Sequence, residues 1–264
     1  MRVKSLQFEV IFGNVDENVK KVEGLFEKED LSNIDTVVLP EMWTTGYDLE
    51  RISEIAADNL FPVKNNMQKL AVKYNVNIIA GSIANKVEGN VENTAFVINR
   101  EGNLVYEYSK MHLVPMLNEP KYLSGGNDEV NLFDLDNEKA GVVICYDLRF
   151  PEIFRDLSLE GVKVIFVVAE WPIEREEHWT TLLKARAIEN QCYIVSSNVV
   201  GTQPTGTTFA GNSMIIDPFG EVLNKSDSKS EESIEATLDL EYINKVRKDI
   251  PIFESRRKEL YKFL

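Results

Sequence analysis

Apolar residues along the chain follow two patterns in turn, continuous runs and a repeat at helical spacing. Continuous apolar runs rich in β-branched residues are typical of buried strands. They occur at 36–39, 76–80, 140–144, 164–168, 193–196 and 213–216. Between them, apolar residues recur at helical spacing, as in Val19, Val22 and Phe26, with Asn14 or Asp16 as the candidate N-cap. The alternation predicts an α/β protein.

Prolines and turn residues refine this pattern. Pro62 and Pro151 are expected at the starts of further helices, and a hairpin turn at 100–103 is expected between the strands 95–98 and 104–108. The helix after Pro62 is expected to bury one apolar stripe. That stripe consists of Val63, Met67, Leu70, Ala71 and Tyr74.

Two stretches lack any regular period. Residues 110–128 contain prolines and glycines, and loops of this length inside compact domains are often functional. Residues 226–232 are polar and charged, and are expected to form a surface loop. Since no change of composition marks a linker, the chain 1–264 is predicted to be a single domain.

The charge balance argues against several partners. The chain has 264 residues, with 29 Lys and Arg against 43 Asp and Glu, and a net charge of −14. Binding to nucleic acid or to an anionic membrane needs clustered cations, so we expect neither partner. The longest apolar run, 164–169, is too short to span a bilayer, and the first residues do not resemble a secretory signal.

Cysteine and histidine are scarce. Cys145 and Cys192 cannot form a disulfide framework, so we expect a reducing, cytoplasmic setting. His112 and His178 are too few for a zinc site of the usual Cys/His type. A glycine-rich phosphate loop is also absent from the sequence.

Reactive residues follow the predicted strands. In α/β folds, sites gather at the carboxyl ends of strands, and Glu41 follows 36–39 while Cys145 follows 140–144. An acid and a thiol there could be a base and a nucleophile. Each residue also has a structural interpretation, because a cysteine can simply pack and a glutamate can cap a helix or pair with an arginine.

The segment after Cys145 turns from a strand into the helix that begins at Pro151. Such a turn exposes the side chain and directs backbone N–H groups toward it, and these groups can stabilise an oxyanion. Cys192 has no comparable neighbours in the sequence, so we assign it to packing.

Lys110 ends a predicted strand and begins the long loop. Its ammonium could stabilise negative charge on a tetrahedral intermediate, or it could be an ordinary exposed lysine. Glu119, further along the loop, could hold Lys110 in place or be a solvated acid.

Four segments together form a specific set. They are LPEMWTTGY at 39–47, YSKMHL at 108–113, ICYDLRFPE at 144–152, and HW at 178–179 followed by ARAIENQ at 185–191. In this order they resemble the Glu, Lys and Cys motifs, and a further segment, of the carbon–nitrogen hydrolase family (the nitrilase superfamily). The similarity covers essentially the whole chain and is greatest to the omega-amidase-like branch of bacterial amidohydrolases.

The resemblance implies a fold and an assembly. The fold is a four-layer α-β-β-α sandwich, in which two sheets face each other with helices outside. The assembly is a pair of subunits, so a homodimer is expected. The C-terminal segment, about 251–264, could be an arm over the partner or could pack on its own domain. Its apolar residues are Phe253, Leu260, Tyr261 and Phe263.

The resemblance also implies the chemistry of a cysteine-dependent amidohydrolase that releases ammonia from a small amide. Glu41 would be the base and Cys145 the nucleophile. Lys110 and the backbone N–H of Tyr146 would hold the oxyanion, and Glu119 matches a second acid beside the lysine. Neither a metal nor an organic cofactor is required.

The substrate class follows from the same branch, which hydrolyses terminal amides of short dicarboxylates, including 2-oxo acids. Their distal carboxylate needs a cation, for which Arg149 and Arg175 are candidates, although Arg149 could instead pair with a nearby acid. Tyr47 and Trp171 are further substrate-binding candidates. Glu170 departs from many relatives, which carry an uncharged residue there. A glutamate facing the pocket would disfavour an anionic substrate unless an arginine neutralises it.

Three other interpretations stay open. Cys145 could work with His112 or His178 as a Cys–His hydrolase, although we interpret both histidines as structural. An N-carbamoyl amidohydrolase or a nitrilase of the same family would use the same motifs. The scaffold could also bind a metabolite without turning it over.

Overall fold

The computed structural model describes residues 1–262, and its core is a pair of facing β-sheets. The first sheet contains β1 (Arg2–Gln7), β2 (Thr36–Val38), β3 (Ala57–Asp58), β4 (Asn77–Val87), β5 (Asn90–Ile98), β6 (Leu104–Ser109) and β13 (Glu232–Thr237). Its spatial order is β13-β1-β2-β4-β5-β6, with β3 beside β4. The strands β1, β2 and β4 run parallel, whereas β13, β5 and β6 pair antiparallel with their neighbours.

The second sheet has a similar plan. It contains β7 (Phe133–Leu135), β8 (Glu138–Ile144), β9 (Val164–Ala169), β10 (Tyr193–Asn198), β11 (Met214–Ile216) and β12 (Val222–Lys225), in the order β12-β11-β10-β9-β8-β7. Its central strands β8, β9 and β10 run parallel and the outer strands antiparallel. Each sheet therefore places three parallel strands at its centre.

The chain forms seven α-helices within residues 1–262, and the longer ones pack on the outer faces of the sheets. The seven helices are α1 (Val15–Lys28), α2 (Ile52–Ile55), α3 (Val63–Tyr74), α4 (Glu119–Tyr122), α5 (Pro151–Leu159), α6 (Glu176–Asn190) and α7 (Tyr242–Asp249). The helices α1 and α3 pack on the first sheet, and α5 and α6 on the second. The side-chain alternation of a strand divides the core: Val37 faces the helices, whereas Val38 lies between the sheets. The predicted α-β-β-α sandwich is confirmed.

Several elements depart from the sequence prediction. The strand predicted at 76–80 corresponds to the first part of the longer β4, which begins at Asn77, and the strand predicted at 95–98 is the last part of the longer β5. The predicted loop at 226–232 is one residue too long, because Glu232 begins β13. The sequence did not predict this strand because Ile234 is its one buried residue, so no alternation is visible. Asn14, not Asp16, caps α1, since its side chain accepts from the N–H of Glu17.

The C-terminal segment reaches back onto its own domain at Phe253. The guanidinium carbons of Arg155 and Arg247 lie 5.3 and 5.2 Å from the centre of the Phe253 ring. Leu260 and Tyr261, further on, are exposed. Residue 263, the last aromatic of the expected arm, lies outside the described residues.

Candidate active site

Glu41 lies just beyond β2, at an edge of the sandwich where loops from both sheets meet. The Glu41 loop packs against β4 at Gly81, whose φ is +60°. A Cβ atom at this residue would lie 1.9 Å from the carbonyl oxygen of Pro40. The backbone N–H of Ser82 donates to that same oxygen at 3.2 Å. A residue without a side chain is therefore needed for the Glu41 loop to pack this closely on β4.

The Glu41 carboxylate is completely buried and each of its oxygens accepts hydrogen bonds. Oε1 accepts from Nζ of Lys110 at 3.0 Å and from Nδ2 of Asn93 at 2.8 Å. Oε2 accepts from the backbone N–H of Glu170 at 2.7 Å, which ties the end of β2 to the end of β9. Asn93 was not predicted, because nothing in the local sequence distinguishes it from other polar residues of β5.

Lys110 lies between two carboxylates. Its Nζ is 2.9 Å from Oε1 of Glu119 as well as 3.0 Å from Glu41, and all three side chains are buried. Glu119 is fixed in turn by the N–H of Val114, which donates to Oε2 at 2.7 Å. The short helix α4, which begins at Glu119, thus returns the long loop to Lys110.

The Tyr47 hydroxyl completes this group, and we call Glu41, Tyr47, Lys110 and Glu119 the lysine cluster. The hydroxyl oxygen lies 2.9 Å from Oε1 of Glu41 and 2.6 Å from Oε1 of Glu119, and its single proton is donated to one of them at a time. Tyr47, a substrate-binding candidate in the sequence, therefore also contacts Glu41, the candidate base.

Electrostatics fix the charges of the lysine cluster. Burial opposes the charged form of Lys110, but Glu41 and Glu119 outweigh it and raise the pKa of the ammonium. Burial raises the pKa of Tyr47 well above its usual value, and the two carboxylates raise it further. At neutral pH the cluster thus holds one permanent cation and a neutral phenol.

Cys145 lies at the end of β8 and begins a 3-10 helix, Cys145–Arg149. Its φ of +45° is rare for a residue with a side chain, and such strain clusters at functional sites. Burial raises the pKa of the thiol well above its usual value, Glu41 raises it further, and Lys110 acts in the opposite direction. The resting sulfur is therefore a neutral thiol, which needs a base before it can attack.

The turn after Cys145 is anchored by Asp147. Its carboxylate accepts from the Tyr108 hydroxyl at 2.8 Å and from the backbone N–H groups of His112 and Ile144 at 3.2 Å each. Nδ1 of His112 is 2.8 Å from the same carboxylate. The N–H of Tyr146 falls in the first turn of the 3-10 helix, where N–H groups have no partner within the helix.

The two histidines lie beside this turn. The His112 ring stacks on Phe150 with ring centres 3.5 Å apart, and pairs with Asp147. His178 is exposed, and its Nδ1 lies 3.4 Å from Nη1 of Arg149. The ionisable side chains that act most strongly on the Cys145 thiol are Glu41, Lys110 and Glu119, not a histidine.

A narrow cleft opens beside the sulfur, and we call it the cysteine cleft. It is lined by Val114, Met116, Leu117, Cys145, Tyr146, Arg149, Glu170, Trp171, Pro172 and Arg175. Its volume is about 20 Å³, room for about one water molecule. Met116 and Leu117 separate it from a cavity of about 480 Å³ that Tyr47 and Gln203 also line. A substrate must therefore displace side chains at this border, where Met116 is exposed.

Arg149 lines the cysteine cleft beside two aromatic rings. Its guanidinium carbon is 4.6 Å from the centre of the Trp171 ring and 5.6 Å from that of Tyr146. Within residues 1–262 it forms no ion pair with a carboxylate, and its buried Nε has no hydrogen-bond partner. The alternative that Arg149 pairs with a nearby acid is therefore wrong. Arg175 is half-buried in the same cleft, and its carbonyl oxygen accepts from Nε1 of Trp171 at 2.8 Å.

Glu170 lines the cysteine cleft and is 1% exposed. Burial raises the pKa of its carboxyl well above the usual value, the negative charge of Glu41 raises it further, and Gln203 acts in the opposite direction. Burial and the charge of Glu41 therefore favour the neutral form of this carboxyl. The concern raised by the sequence, that Glu170 would repel an anionic substrate, assumed an ionised carboxylate, which these surroundings disfavour.

Metal-binding and membrane-spanning features were sought in the same residues. Residues 1–262 contain no group of three or more His, Cys, Asp and Glu side chains arranged to hold a metal ion. Over that range, no helix is both long and apolar enough to cross a membrane.

Comparisons with known proteins identify close relatives. The carbon–nitrogen hydrolase family model matches residues 2–248. The chain is 42% identical to a 2-oxoglutaramate amidase of Bacillus subtilis over 98% of both chains. It is 35% identical to an omega-amidase of Escherichia coli K12 over 86% of both chains. A CN-hydrolase superfamily protein of Xanthomonas campestris, solved with an arsenic adduct in its active site, aligns with a TM-score of 0.91 and 27% identity, covering 100% of this chain and 98% of that one. These findings confirm the resemblance stated from the sequence.

Proposed function

The chain belongs to the carbon–nitrogen hydrolase family, and from that premise we propose that it is an omega-amidase acting on the terminal amide of a short 2-oxo dicarboxylate. The observation that carries this proposal is one cleft that holds a cysteine beside a buried carboxylate–lysine pair and two arginines. The relative named 2-oxoglutaramate amidase, which matches over 98% of this chain, supports the substrate class.

In the first half-reaction Glu41 removes the proton of the Cys145 thiol as the sulfur attacks the amide carbon. The attack forms a C–S bond and places negative charge on the carbonyl oxygen. Lys110 and the N–H of Tyr146 stabilise this oxyanion. The protonated Glu41 then gives its proton to the nitrogen, the C–N bond breaks, and ammonia leaves a thioester on Cys145.

In the second half-reaction water replaces ammonia. Glu41 takes a proton from the water, whose oxygen attacks the thioester carbon, and the same two donors hold the new oxyanion. The C–S bond breaks, and Glu41 returns the proton to the sulfur. A carboxylate suits this cycle because its protonated form is neutral, so the positive charge of Lys110 is never opposed by a second cation.

The acid end of the substrate binds Arg149 and Arg175. A guanidinium can hold a carboxylate through two parallel hydrogen bonds, and Arg149 has a buried donor that is still without a partner within residues 1–262. Trp171 supports this arginine through its ring face.

Assembly and location are further parts of the proposal. We infer a cytoplasmic homodimer in which the C-terminal segment, about 251–264, contributes to the contact between subunits. The exposed Leu260 and Tyr261 support this role for the end of the segment. Sedimentation of the full chain beside a chain ending at residue 257 tests it, and a truncated chain that still sediments as a dimer contradicts the arm.

The test of the reaction is ammonia release from a panel of 2-oxo acid monoamides, simple amides, N-carbamoyl amino acids and nitriles. We expect the 2-oxo acid monoamides to be cleaved best. Cys145→Ala should lower turnover by at least about 10⁴-fold, because the covalent route is lost. Cys192→Ala is the matched control: its thiol is fully buried, with a pKa raised to about 12 by burial, and turnover should stay within about twofold.

Two results would contradict the proposal. Preferred turnover of a carbamoyl compound or a nitrile would assign the chain to another activity of the family. Retained turnover in Cys145→Ala would remove the nucleophile from the mechanism.

A further inference from the structure

We propose that Glu170 is a specificity-determining residue, whose Oε1 donates a hydrogen bond to an acceptor oxygen at the acid end of the substrate. The inference rests on the proposed function, because it concerns how the same cleft recognises a 2-oxo acid monoamide.

The main chain of Glu170 is fixed by the catalytic carboxylate. Its N–H donates to Oε2 of Glu41 at 2.7 Å, and Glu170 follows directly after β9, whose central place in the second sheet makes it rigid. Every residue except proline has this backbone N–H. A substitution of Glu170 by any other residue would therefore preserve the position of the main chain beside the cysteine cleft.

The two carboxyl oxygens of Glu170 have different surroundings. Oε2 accepts a hydrogen bond from Nε2 of Gln203 at 3.3 Å. Oε1 is buried and has no hydrogen-bond partner among residues 1–262. A buried polar atom without a partner destabilises the fold, and a ligand atom in the cleft can offset that cost.

Gln203 is itself held in place. It is 5% exposed, and its backbone N–H donates to the carbonyl oxygen of Thr207 at 2.9 Å. Gly46, with a φ of +57°, leaves room for it, because a Cβ at residue 46 would lie 2.8 Å from Nε2 of Gln203. The loop therefore directs the Gln203 amide toward Glu170.

This arrangement decides which oxygen carries the proton. Oε2 already accepts from Gln203 and Oε1 has no partner within residues 1–262, so in the neutral form, which burial favours, the proton belongs on Oε1, where it is free to be donated. The charged and titratable groups that share the lysine cluster and the cysteine cleft with it are Glu41, Tyr47, Lys110, Glu119, Cys145, Tyr146, Arg149 and Arg175. With two arginines in the same cleft, an oxygen-rich anion is the ligand that uses both the cations and the free donor.

The test compares three amides of equal length: a 2-oxo dicarboxylate monoamide, the same monoamide without the 2-oxo group, and an uncharged alkyl amide. For Glu170→Ala, we expect kcat/KM to fall about 10- to 100-fold at least for the 2-oxo dicarboxylate monoamide. This is the effect expected for the loss of a hydrogen bond to a charged group. The uncharged amide should change by less than about threefold. The fall should be mainly in KM.

Glu170→Gln keeps an N–H donor and cannot ionise. Near pH 7 it should retain the activity of the wild type on the 2-oxo monoamide within about threefold. As pH rises, the wild type should lose affinity for the anionic substrate when Glu170 ionises, and Glu170→Gln should lose less. Glu174→Gln replaces the carboxyl of an exposed residue nearby in the same way, and is the matched control for a general effect of charge on the pH dependence.

Three results would overturn the role of Glu170. A tenfold gain in kcat/KM for Glu170→Gln near pH 7 would mean that the carboxyl is ionised and repels the substrate. An equal loss on all three amides would mean that Glu170 only positions Glu41, and no loss on any amide would remove it from recognition. In each case the wild type still cleaves the 2-oxo monoamide. Failure of the proposed function is different, because the wild type itself would then not cleave it.

Discussion

The lysine cluster and the cysteine cleft are adjacent, yet their polar groups are satisfied to different degrees. Within residues 1–262, every carboxylate oxygen of Glu41 and Glu119 accepts at least one hydrogen bond. In the cleft, Nε of Arg149 and Oε1 of Glu170 are buried without a partner. The first group is complete before any substrate arrives, whereas the second has hydrogen-bonding capacity that a ligand can use.

This difference indicates that the lysine cluster acts in catalysis and that the cysteine cleft acts in substrate selection. Preorganised charges lower the barrier because they need no rearrangement as the transition state forms. Unsatisfied groups select a ligand, because only a complementary molecule relieves their cost. Changes in the lysine cluster should therefore lower kcat for every amide, and changes in the cleft should depend on the substrate.

Among the substitutions that test this difference between the lysine cluster and the cysteine cleft, we expect the largest effect at Glu119. In Glu119→Gln, the single amide oxygen can accept from Lys110 or from the Val114 N–H but not from both, so either the ammonium loses an anchor or that anchor loses the backbone group that holds it. We expect kcat to fall about 10²- to 10³-fold, the usual effect of losing one oxyanion donor. Ammonia release from charged and uncharged amides measures it, and both should fall alike.

Glu107→Gln is the control for this change, since Glu107 is exposed on β6, the strand that ends beside Lys110. Its kinetics should match the wild type. A Glu119→Gln variant that changes only the KM of anionic amides would move Glu119 from the catalytic cluster to substrate recognition.

For Arg149, which lines the cysteine cleft, we expect a substitution to have an intermediate effect on kcat/KM. Arg149→Leu removes a cation that, in the proposed function, binds the acid end of the substrate, so kcat/KM for the 2-oxo monoamide should fall about 10- to 100-fold. The uncharged amide is the internal control and should change little. Arg149→Lys should recover part of the loss, because it restores charge without the planar fork. Equal losses on both substrates would show that Arg149 only shapes the turn after Cys145.

The smallest effect concerns stability and needs no substrate. The folded-state pKa of Glu170 lies well above its unfolded value, so its contribution to stability is fully present below the unfolded pKa and is lost as pH rises through the folded pKa. Glu170→Gln cannot ionise and does not suffer this loss. We expect its Tm, relative to the wild type, to increase from about pH 5 to about pH 9. A Tm difference that is constant with pH would mean that Glu170 is already ionised in the folded protein.

Local patterns were sufficient for much of the fold. The spacing of Val19, Val22 and Phe26 predicted a helix that extends over Val15–Lys28, since an amphipathic face is visible within a few turns. The half-exposed strand β13 and the N-terminal strand β1 were not predicted. They pair across more than 200 residues of sequence, with Arg2 opposite Thr237, and no local pattern reports such a partner.

In the candidate site too, some residues were predicted from local sequence motifs, and others became apparent only from contacts in the tertiary structure. Glu41, Lys110, Cys145 and Glu119 stand in segments whose motifs resemble a known family, and the structure brings the first two and Glu119 into direct contact. Asn93, Asp147 and Gln203 were not predicted. Their importance comes from hydrogen bonds to Glu41, to the turn after Cys145 and to Glu170, which form only when distant loops meet.

By itself, then, the sequence determined the α/β class of the fold, because the periodicity of strands and helices is a local property of a chain. Its motifs, through their resemblance to a known family, pointed to the residues able to carry an amidase reaction. Only the tertiary structure decided their charges and partners. It surrounded Lys110 with two carboxylates, favoured the neutral form of Glu170, and left Arg149 without an ion pair to an acid within residues 1–262. Protonation and pairing depend on burial and on neighbours from distant parts of the chain, and these exist only once the sheets have packed.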